Sequence, residues 1–317
     1  MKLANVLSLI LITLVSSQVI AVHSPARPHS FSTAQRTGNT GPSNYGPPAQ
    51  IAVLKDRAVK ESSGIAASRR SQGIYWTHND SGGGPLIYAF DSRGSSKGVW
   101  RVSGATVRDW EDIAAGPGPS AGKSYLYIGD IGDNREKRTE IVVYRVPEPE
   151  INPKSLSKGK AAATDKSEAI RLRYPDGSHD AESLLVHPRT GSIYIVTKVA
   201  FANPGIYEAP APIQAGQLIT LKRVGTLQVP SLFGGIITGG AISPDGRRVA
   251  FCDYMQGYEA VLETATSSFD TIWKQPLTSI SLGSRKQGEA ITYRLDGKAL
   301  LMTSEGSPMP LFQIERR

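Results

Sequence analysis

The chain has 317 residues, a mass of 34.0 kDa, a net charge of +8 and a sequence pI near 9.5, with 39% hydrophobic and 20% charged residues. That balance excludes a disordered or membrane-embedded polymer and fits one or two globular domains. A single cysteine excludes an internal disulfide framework and any Cys-based zinc or iron–sulfur site, and 5 histidines leave little for a His-rich one.

At the N-terminus, Lys2, the mostly apolar run Val6 to Val15 and the small-residue step Val19-Ile20-Ala21 have the layout of a secretory signal over residues 1–21. The apolar run is too short for a stop-transfer helix. No transmembrane segment is expected, and the protein is expected to be extracellular or periplasmic. Residues 22–50 are rich in Ser, Pro, Gly, Thr and Asn without apolar periodicity, which predicts a flexible leader before a folded domain over 51–317.

Repetition is the dominant signal of that domain. Five segments share a short apolar strand, a turn and a second strand. They are Ser63 to Ala66 with Ile74 to Thr77, Glu111 to Ala114 with Tyr125 to Ile128, and Glu182 to Leu185 with Ile193 to Val196. Gly240 to Ser243 with Val249 to Cys252, and Glu289 to Thr292 with Ala299 to Met302, complete the set. The turns Ser243-Pro244-Asp245-Gly246 and Leu295-Asp296-Gly297 are hairpin chemistry. Third strands follow at Leu86 to Phe90, Ile141 to Val146 and Gly205 to Ala209, and fourth strands at Val99 to Val102 and Val224 to Val229. Four antiparallel strands recurring along a chain predict an all-β propeller. Five blades are counted, the last closed by Ile51 to Leu54 from the N-terminus, and the stretch 141–180 has room for a sixth. A β-sandwich or two small β domains is the competing architecture.

In a propeller the first strand of each blade lines the central channel and the second runs back, so strand starts and second-strand ends meet at one rim. Strand starts supply Glu61, Asp109, Glu111, Asp180, Glu182 and Glu289. Strand ends supply His78, Asn79, Asp80, Asp130, Asp133, Asn134, Lys198, Asp253 and Glu305. The opposite rim receives the basic turns with Arg69, Arg70, Lys123, Arg189, Arg247, Arg248, Arg294 and Lys298, which read as a solvated face. No basic patch is interleaved with aromatics, so nucleic acid is not an expected partner.

Converging carboxylates repel one another, and three remedies are open. A hard cation with oxygen ligands neutralises them, Ca²⁺ ahead of Zn²⁺ for want of thiols, with Glu111, Asp130, Glu182 and Glu289 as the candidate ligands. Lys198 and arginines pair with some. Or one carboxylate with a raised pKa serves as acid or base. His78, in Trp76-Thr77-His78-Asn79-Asp80, and His179, in Ser178-His179-Asp180-Ala181-Glu182, are the candidate proton carriers, and Lys198 the candidate anchor for an anionic substrate. Asn79, Asp80, Asp133, Asp253 and Glu305 complete the rim. Ile128-Gly129-Asp130-Ile131-Gly132-Asp133-Asn134 resembles a Ca²⁺-type loop without full EF-hand spacing. Against all of these stands the structural role of Asp and Asn in accepting backbone N–H bonds at strand ends. Cys252, inside an apolar strand, reads as a buried free thiol.

Asn79-Asp80-Ser81-Gly82, Asp109 to Ala114, Tyr127 to Asn134, Asp180 to Leu184 and Gln287 to Ile291 together resemble a largely uncharacterised family of secreted bacterial β-propellers, over most of residues 55–317. More loosely, Gly288 to Ile291 and Thr303 to Gly306 are similar to elements of phytase-like esterase propellers and of the gluconolactonase and paraoxonase group. The resemblance implies a rim that binds Ca²⁺ and hydrolyses esters, lactones or phosphates. The chain departs from those groups in blade spacing, and it carries no complete catalytic motif of theirs. Two functions follow: a secreted, cation-dependent hydrolase, or a non-catalytic propeller gripping a carbohydrate, peptide or cell-envelope ligand. A monomer is expected.

Overall fold

The computed structural model describes residues 44–80, 83–151, 160–231, 234–264, 266–304, 306 and 308–317. The expected signal, most of the expected leader, and Glu305 lie outside the described residues.

β1 (Ala49–Leu54) opens the described chain. Blade 1 follows as β2 (Ser62–Ala67), β3 (Ile74–Asn79), β4 (Leu86–Asp91) and β5 (Ser96–Ser103). Blade 2 begins with β6 (Trp110–Pro117), β7 (Ser124–Asp130) and β8 (Ile141–Pro147), after which come β9 (Ala162–Lys166) and β10 (Glu168–Arg173). Blade 3 is β11 (Ala181–Val186), β12 (Ile193–Thr197), β14 (Gly205–Ala209) and β16 (Lys222–Thr226), with β13 (Val199–Ala200) and β15 (Leu218–Thr220) in its loops. Past β17 (Gly234–Gly235), blade 4 is β18 (Gly239–Ile242), β19 (Arg248–Cys252), β20 (Gly257–Val261) and β21 (Thr278–Ile280). Blade 5 is β22 (Gly288–Tyr293), β23 (Ala299–Ser304) and β24 (Met309–Glu315), and β1 supplies its fourth strand by pairing antiparallel with β24. The result is the expected five-bladed propeller, closed by the N-terminal strand.

Strand periodicity explains why the ring holds. Successive side chains point to opposite faces of a blade, and here each face meets a neighbouring blade. Trp76 packs with Trp110 and Ile128 between blades 1 and 2, while its neighbour Tyr75 packs with Leu311 between blades 1 and 5. The same division separates Leu126 from Tyr127, Ile195 from Tyr194, and Phe251 from Ala250. Five apolar clusters fill the five interfaces in this way. The inner hairpins therefore read as continuous apolar runs rather than as alternating ones. Gly246 and Gly297, at φ +70° and +69°, supply the left-handed turn positions of blades 4 and 5 that residues with a Cβ adopt at a penalty.

Two expectations are corrected. Among the described residues no sixth blade occupies 141–180: β8 and β10 are the third and fourth strands of blade 2, and β9 adds in parallel to the outer edge of β5 in blade 1. β15 likewise adds in parallel to β10, so each of these strands stitches the connection of one blade onto the edge of the blade before it. The fold also takes in the end of the expected leader. Tyr45 is buried, bridges to Arg316 and donates its hydroxyl to Glu259 Oε1 at 2.6 Å, and β1 starts at Ala49. A Pro/Gly-rich composition hid the pairing of this segment with a strand more than 250 residues away. Among the described residues no helix is long and apolar enough to cross a membrane.

Candidate functional site

Four of the five inner strands break register at the same point: β2 between Ser62 and Gly64, β6 between Trp110 and Asp112, β11 between Ala181 and Ser183, and β22 between Gly288 and Ala290. The bulged residues are Ser63, Glu111, Glu182 and Glu289. A bulge re-aims a side chain where regular alternation would not, and three blades use the position for a glutamate. A second feature recurs just above it. The N–H that follows the second strand donates to the carbonyl before the first strand: Asp80 to Glu61 at 3.1 Å, Gly132 to Asp109 at 3.2 Å, and Lys198 to Asp180 at 2.9 Å. Asp80, Gly132 and Lys198 are thus equivalent positions of blades 1, 2 and 3, holding an acid, a glycine and a base.

At the junction of blades 1 and 2, Asp80, Asp109 and Glu111 each bring a carboxylate oxygen within 4.8 Å of the other two. Glycine at position 132 permits this: a Cβ there would stand 2.2 Å from Glu111 Oε1 and 2.5 Å from Asp109 Oδ2. Arg138 braces the loop from behind, donating to Gly132 O at 2.9 Å and pairing with Asp130 Oδ1 at 2.8 Å, both side chains buried.

Around the axis, Lys198 Nζ donates to Glu182 Oε1 at 2.5 Å and to the Tyr254 hydroxyl at 2.8 Å. Burial raises the pKa of Glu182 to about 7; Lys198 pulls it back, and the charges of Asp180 and Asp80 add to the rise. Burial opposes the charge on Lys198, but the Glu182 carboxylate and Tyr254 hold the ammonium protonated above its ordinary range. Glu289 accepts from Gln287 Nε2 at 2.6 Å.

One step down, the channel is plugged. The position after each bulge carries Gly64, Asp112, Ser183 and Ala290, and Asp112 fills the space the small residues leave. Its Oδ1 accepts from Ile113 N at 2.8 Å and its Oδ2 from Leu184 N at 3.0 Å, and the Gly240 amide adds a third bond. A Cβ on Gly64 would come within 2.8 Å of Oδ1. Burial raises the Asp112 pKa well above the usual carboxylate range, and the three amides pull against that rise. Beneath it lies a narrow lumen of about 40 Å³ lined by Ile65, Ile113, Leu185 and Ile242. The mouth is a cup with a floor, not the entrance of a pore.

The remaining sequence candidates sort by their partners. Asp130 and Asp133 both serve Arg138, the second through a 2.5 Å bond from its N–H, so the segment read as a Ca²⁺-type loop has an arginine as its counter-ion. Asn79 accepts from the Lys60 and Glu61 amides at 2.9 and 3.1 Å, holding the entry to blade 1. Asp253 caps its turn through the Met255 and Gln256 amides, both at 2.7 Å, and accepts from the Tyr258 hydroxyl at 2.6 Å. Cys252 is fully buried. On the opposite rim the basic turns engage local acceptors, such as Arg294 with Glu315 and Arg69 with Pro188 O.

Neither histidine adjoins the acidic trio in its hydrogen bonds. His179 binds Asp176 at 3.0 Å and the Tyr207 hydroxyl at 3.1 Å, in an aromatic cluster with Tyr174. His78 is fully buried, with Nδ1 bonded to Asn79 O at 3.0 Å and its ring edge-on to Trp110. Burial lowers its pKa to about 4, and the backbone at Asn79 and Asp112 offsets only part of that. The folded state thus resists protonation that the unfolded state accepts below about 6.5. His78 therefore makes stability fall as pH drops from 6.5 towards 4, by about 3 kcal/mol in all. Urea titrations at pH 7 and 4.5 test this: His78→Leu should lose about 2 kcal/mol less than the parent chain over that interval, and equal losses would show that another group sets the acid limb.

Sequence reasoning named Asp109 as a rim acid but not as a partner of Glu111, and it did not single out Asp112, Gly132 or Tyr254. Adjacent acids at 111 and 112 in a channel strand were the available signal for a bulge, since alternation would turn one of them into an apolar interface. No protein-family model and no curated protein matches the chain.

Proposed function

We propose that the channel mouth binds a hard divalent cation, Ca²⁺ before others, through Asp80, Asp109 and Glu111, and takes an oxygen-bearing ligand there. The observation that carries this reading is the convergence of three carboxylate oxygens within 4.8 Å on a cradle that a single Cβ at residue 132 would fill. The donor set has only oxygens, which suits Ca²⁺, Mg²⁺ or Mn²⁺ and not a thiol- or imidazole-seeking metal. Like charges this close disfavour joint ionisation unless compensated. The signal-like N-terminus and the motif resemblance support a secreted bacterial propeller as the setting.

Hydrolysis of an ester, lactone or phosphate is the second reading, and a specific observation favours it. Lys198 donates to Glu182, whose pKa burial raises above the usual carboxylate range, so the carboxylate is suited to take a proton from water and the ammonium would hold a ligand oxygen. A cation bound at the trio supplies polarisation of a ligand oxygen. The withdrawn histidines leave proton transfer to Glu182 and favour the binding reading where no turnover is found.

The test is thermal unfolding in EDTA and then with Ca²⁺, Mg²⁺, Mn²⁺ or Zn²⁺. A cation held only by the native state at about 100 times its dissociation constant adds about 2.7 kcal/mol, equivalent to a midpoint rise of roughly 5–10 °C. Gly132→Ala should abolish the rise. A parent chain insensitive to every ion, or a Gly132→Ala chain that keeps the full rise, would rule the site out. Loss of turnover on Glu182→Gln with the cation-induced rise intact would support hydrolysis over binding alone.

A further inference from the structure

On the rim opposite the mouth, the turns joining β11 to β12 and β18 to β19 bring two donors over one glycine. A Cβ on Gly246 would stand 3.2 Å from His187 Nε2 and 3.4 Å from Arg189 Nη2. The tautomer of His187 is fixed by its own turn. Nδ1 accepts the Arg189 and Thr190 amides at 3.4 and 3.1 Å, so the neutral ring carries its proton on Nε2. Burial and the Arg189 charge hold the pKa of the ring below its ordinary value against the pull of Asp270, which keeps that tautomer in place.

The Nε2–H is left without an acceptor. His187 is 4% exposed, and its Nε2 is buried with no hydrogen-bond partner among the described residues. Phe269 closes one side, tilted at 70° to the imidazole with the ring centroids 4.6 Å apart. Buried N–H donors are almost always paired, so an orphan points to an acceptor from outside the chain. The neighbouring Arg189 side chain is exposed, and its guanidinium makes no hydrogen bond or ion pair among the described residues.

Charge decides what that acceptor is. Arg69 reaches over from blade 1 to donate to Pro188 O at 3.0 Å, and Arg247, next to Gly246, has a buried Nε with no partner among the described residues. The acids nearby are mostly engaged. Asp245 is taken by Ser243 Oγ, the Arg247 amide and Arg248, and Glu208 accepts from the Tyr194 hydroxyl. Asp270 is exposed, where water and salt screen it, and it pairs with neither Arg189 nor Arg247. Unfilled donors with surplus positive charge suit an oxyanion, and a planar guanidinium beside a second N–H matches adjacent oxygens of one group.

We propose that His187 and Arg189 bind a phosphate-type oxyanion at the junction of blades 3 and 4, with one oxygen on the His187 Nε2–H and others on the Arg189 guanidinium. The site is independent of the cation reading of the mouth.

NMR titration of the isotope-labelled full chain in EDTA tests it, with sodium phosphate against sodium chloride at matched ionic strength. The His187 Nε2–H signal, identified by its loss in His187→Phe, should shift saturably with phosphate and not with chloride. Calorimetry of the same titrations gives affinities without relying on that variant. Arg189→Gln, at an exposed position, should weaken phosphate about tenfold. Lys60→Gln removes the same charge beside the mouth and should leave the affinity within about twofold. Acetate, with one charge and two oxygens, should bind about fivefold more weakly than phosphate or worse. Glycerol phosphate separates the two sources of such a group: affinity equal to that of phosphate assigns the site to the end of a larger molecule, and loss of binding assigns it to the free ion. A signal that moves alike with both salts overturns the proposal, and would mean that the Phe269 ring satisfies the N–H. Acetate as tight as phosphate, an Arg189→Gln chain with unchanged affinity, or a Lys60→Gln chain weakened as much as Arg189→Gln also overturns it. Gly132→Ala, which fills the mouth, should bind phosphate as the parent does, so this site and the cation site can fail separately.

Discussion

Replacing Asp112 with alanine is expected to lower the unfolding midpoint by roughly 6–12 °C, the equivalent of about 3 kcal/mol or more. The residue sits on the axis, where it accepts the amides of Ile113 and Leu184 and a third from Gly240, so one carboxyl joins the inner strands of blades 2, 3 and 4. Alanine leaves those donors without their acceptor in a buried place, and a lost buried partner costs more than the net value of the bond. Asparagine keeps one acceptor oxygen but turns an amide donor towards a second N–H, so Asp112→Asn should also destabilise. Its deficit should vary with pH in a defined sense. Burial raises the Asp112 pKa, so the folded protein retains a proton that the unfolded chain releases above about 3.8. The parent chain therefore loses the Asp112 contribution as pH rises, and the gap to Asp112→Asn should narrow from pH 5 to pH 8. Urea unfolding at both values reads this directly. A gap that widens with pH, or an Asp112→Ala midpoint within about 2 °C of the parent, would show that the carboxyl does not tie the blades together.

The same position shows how far the sequence reaches. The inner hairpins were legible because each is apolar on both faces and is joined by residues with hairpin-turn chemistry. Tyr75 and Trp76 are neighbours in sequence that serve different interfaces, and that is what a doubly covered strand looks like. The outer strands were less legible. β9 and β10 stand next to each other in the chain but join different blades, and local pattern carries no record of a parallel partner some 60 residues back. In the mouth, Glu111, Glu182 and Glu289 fell into one set because the repeat aligns them, and the structure puts all three on equivalent bulges. Asp130 had the same look in sequence, yet Arg138, eight residues on, folds back to neutralise it. Spacing gives the candidates for a converging group; which of them already has a counter-ion depends on how loops return.

Removing residues 1–54 is expected to leave a chain that aggregates, or that melts at least 10 °C below one starting at Asn44. The loss is larger than six strand residues suggest, because β1 seals the ring. It covers the edge of β24, and without it a row of backbone donors and acceptors next to Leu311 and Met309 faces solvent, ready to pair with another molecule. Leu54 leaves the cluster between blades 5 and 1, and Tyr45 leaves Glu259, to which Tyr293 also donates at 2.7 Å. The contact reaches blade 1 as well: Gly94, at φ +70°, approaches Val53 O so closely that a Cβ would stand 2.1 Å from it. Burial of Leu54 and Tyr45 contributes about 2 kcal/mol each, and the hydrogen bonds about 1 kcal/mol apiece. The sum is a large part of the 5–15 kcal/mol that holds a typical domain folded. Light scattering and a melting curve compare the two chains, and a synthetic peptide spanning residues 44–56 supplies the missing strand in trans. Rescue of solubility by the peptide is the expected outcome, since closure needs the strand and not its covalent link. A truncated chain that stays monomeric with an unchanged midpoint would mean that blade 5 is complete with three strands and that the interface between blades 5 and 1 holds without β1.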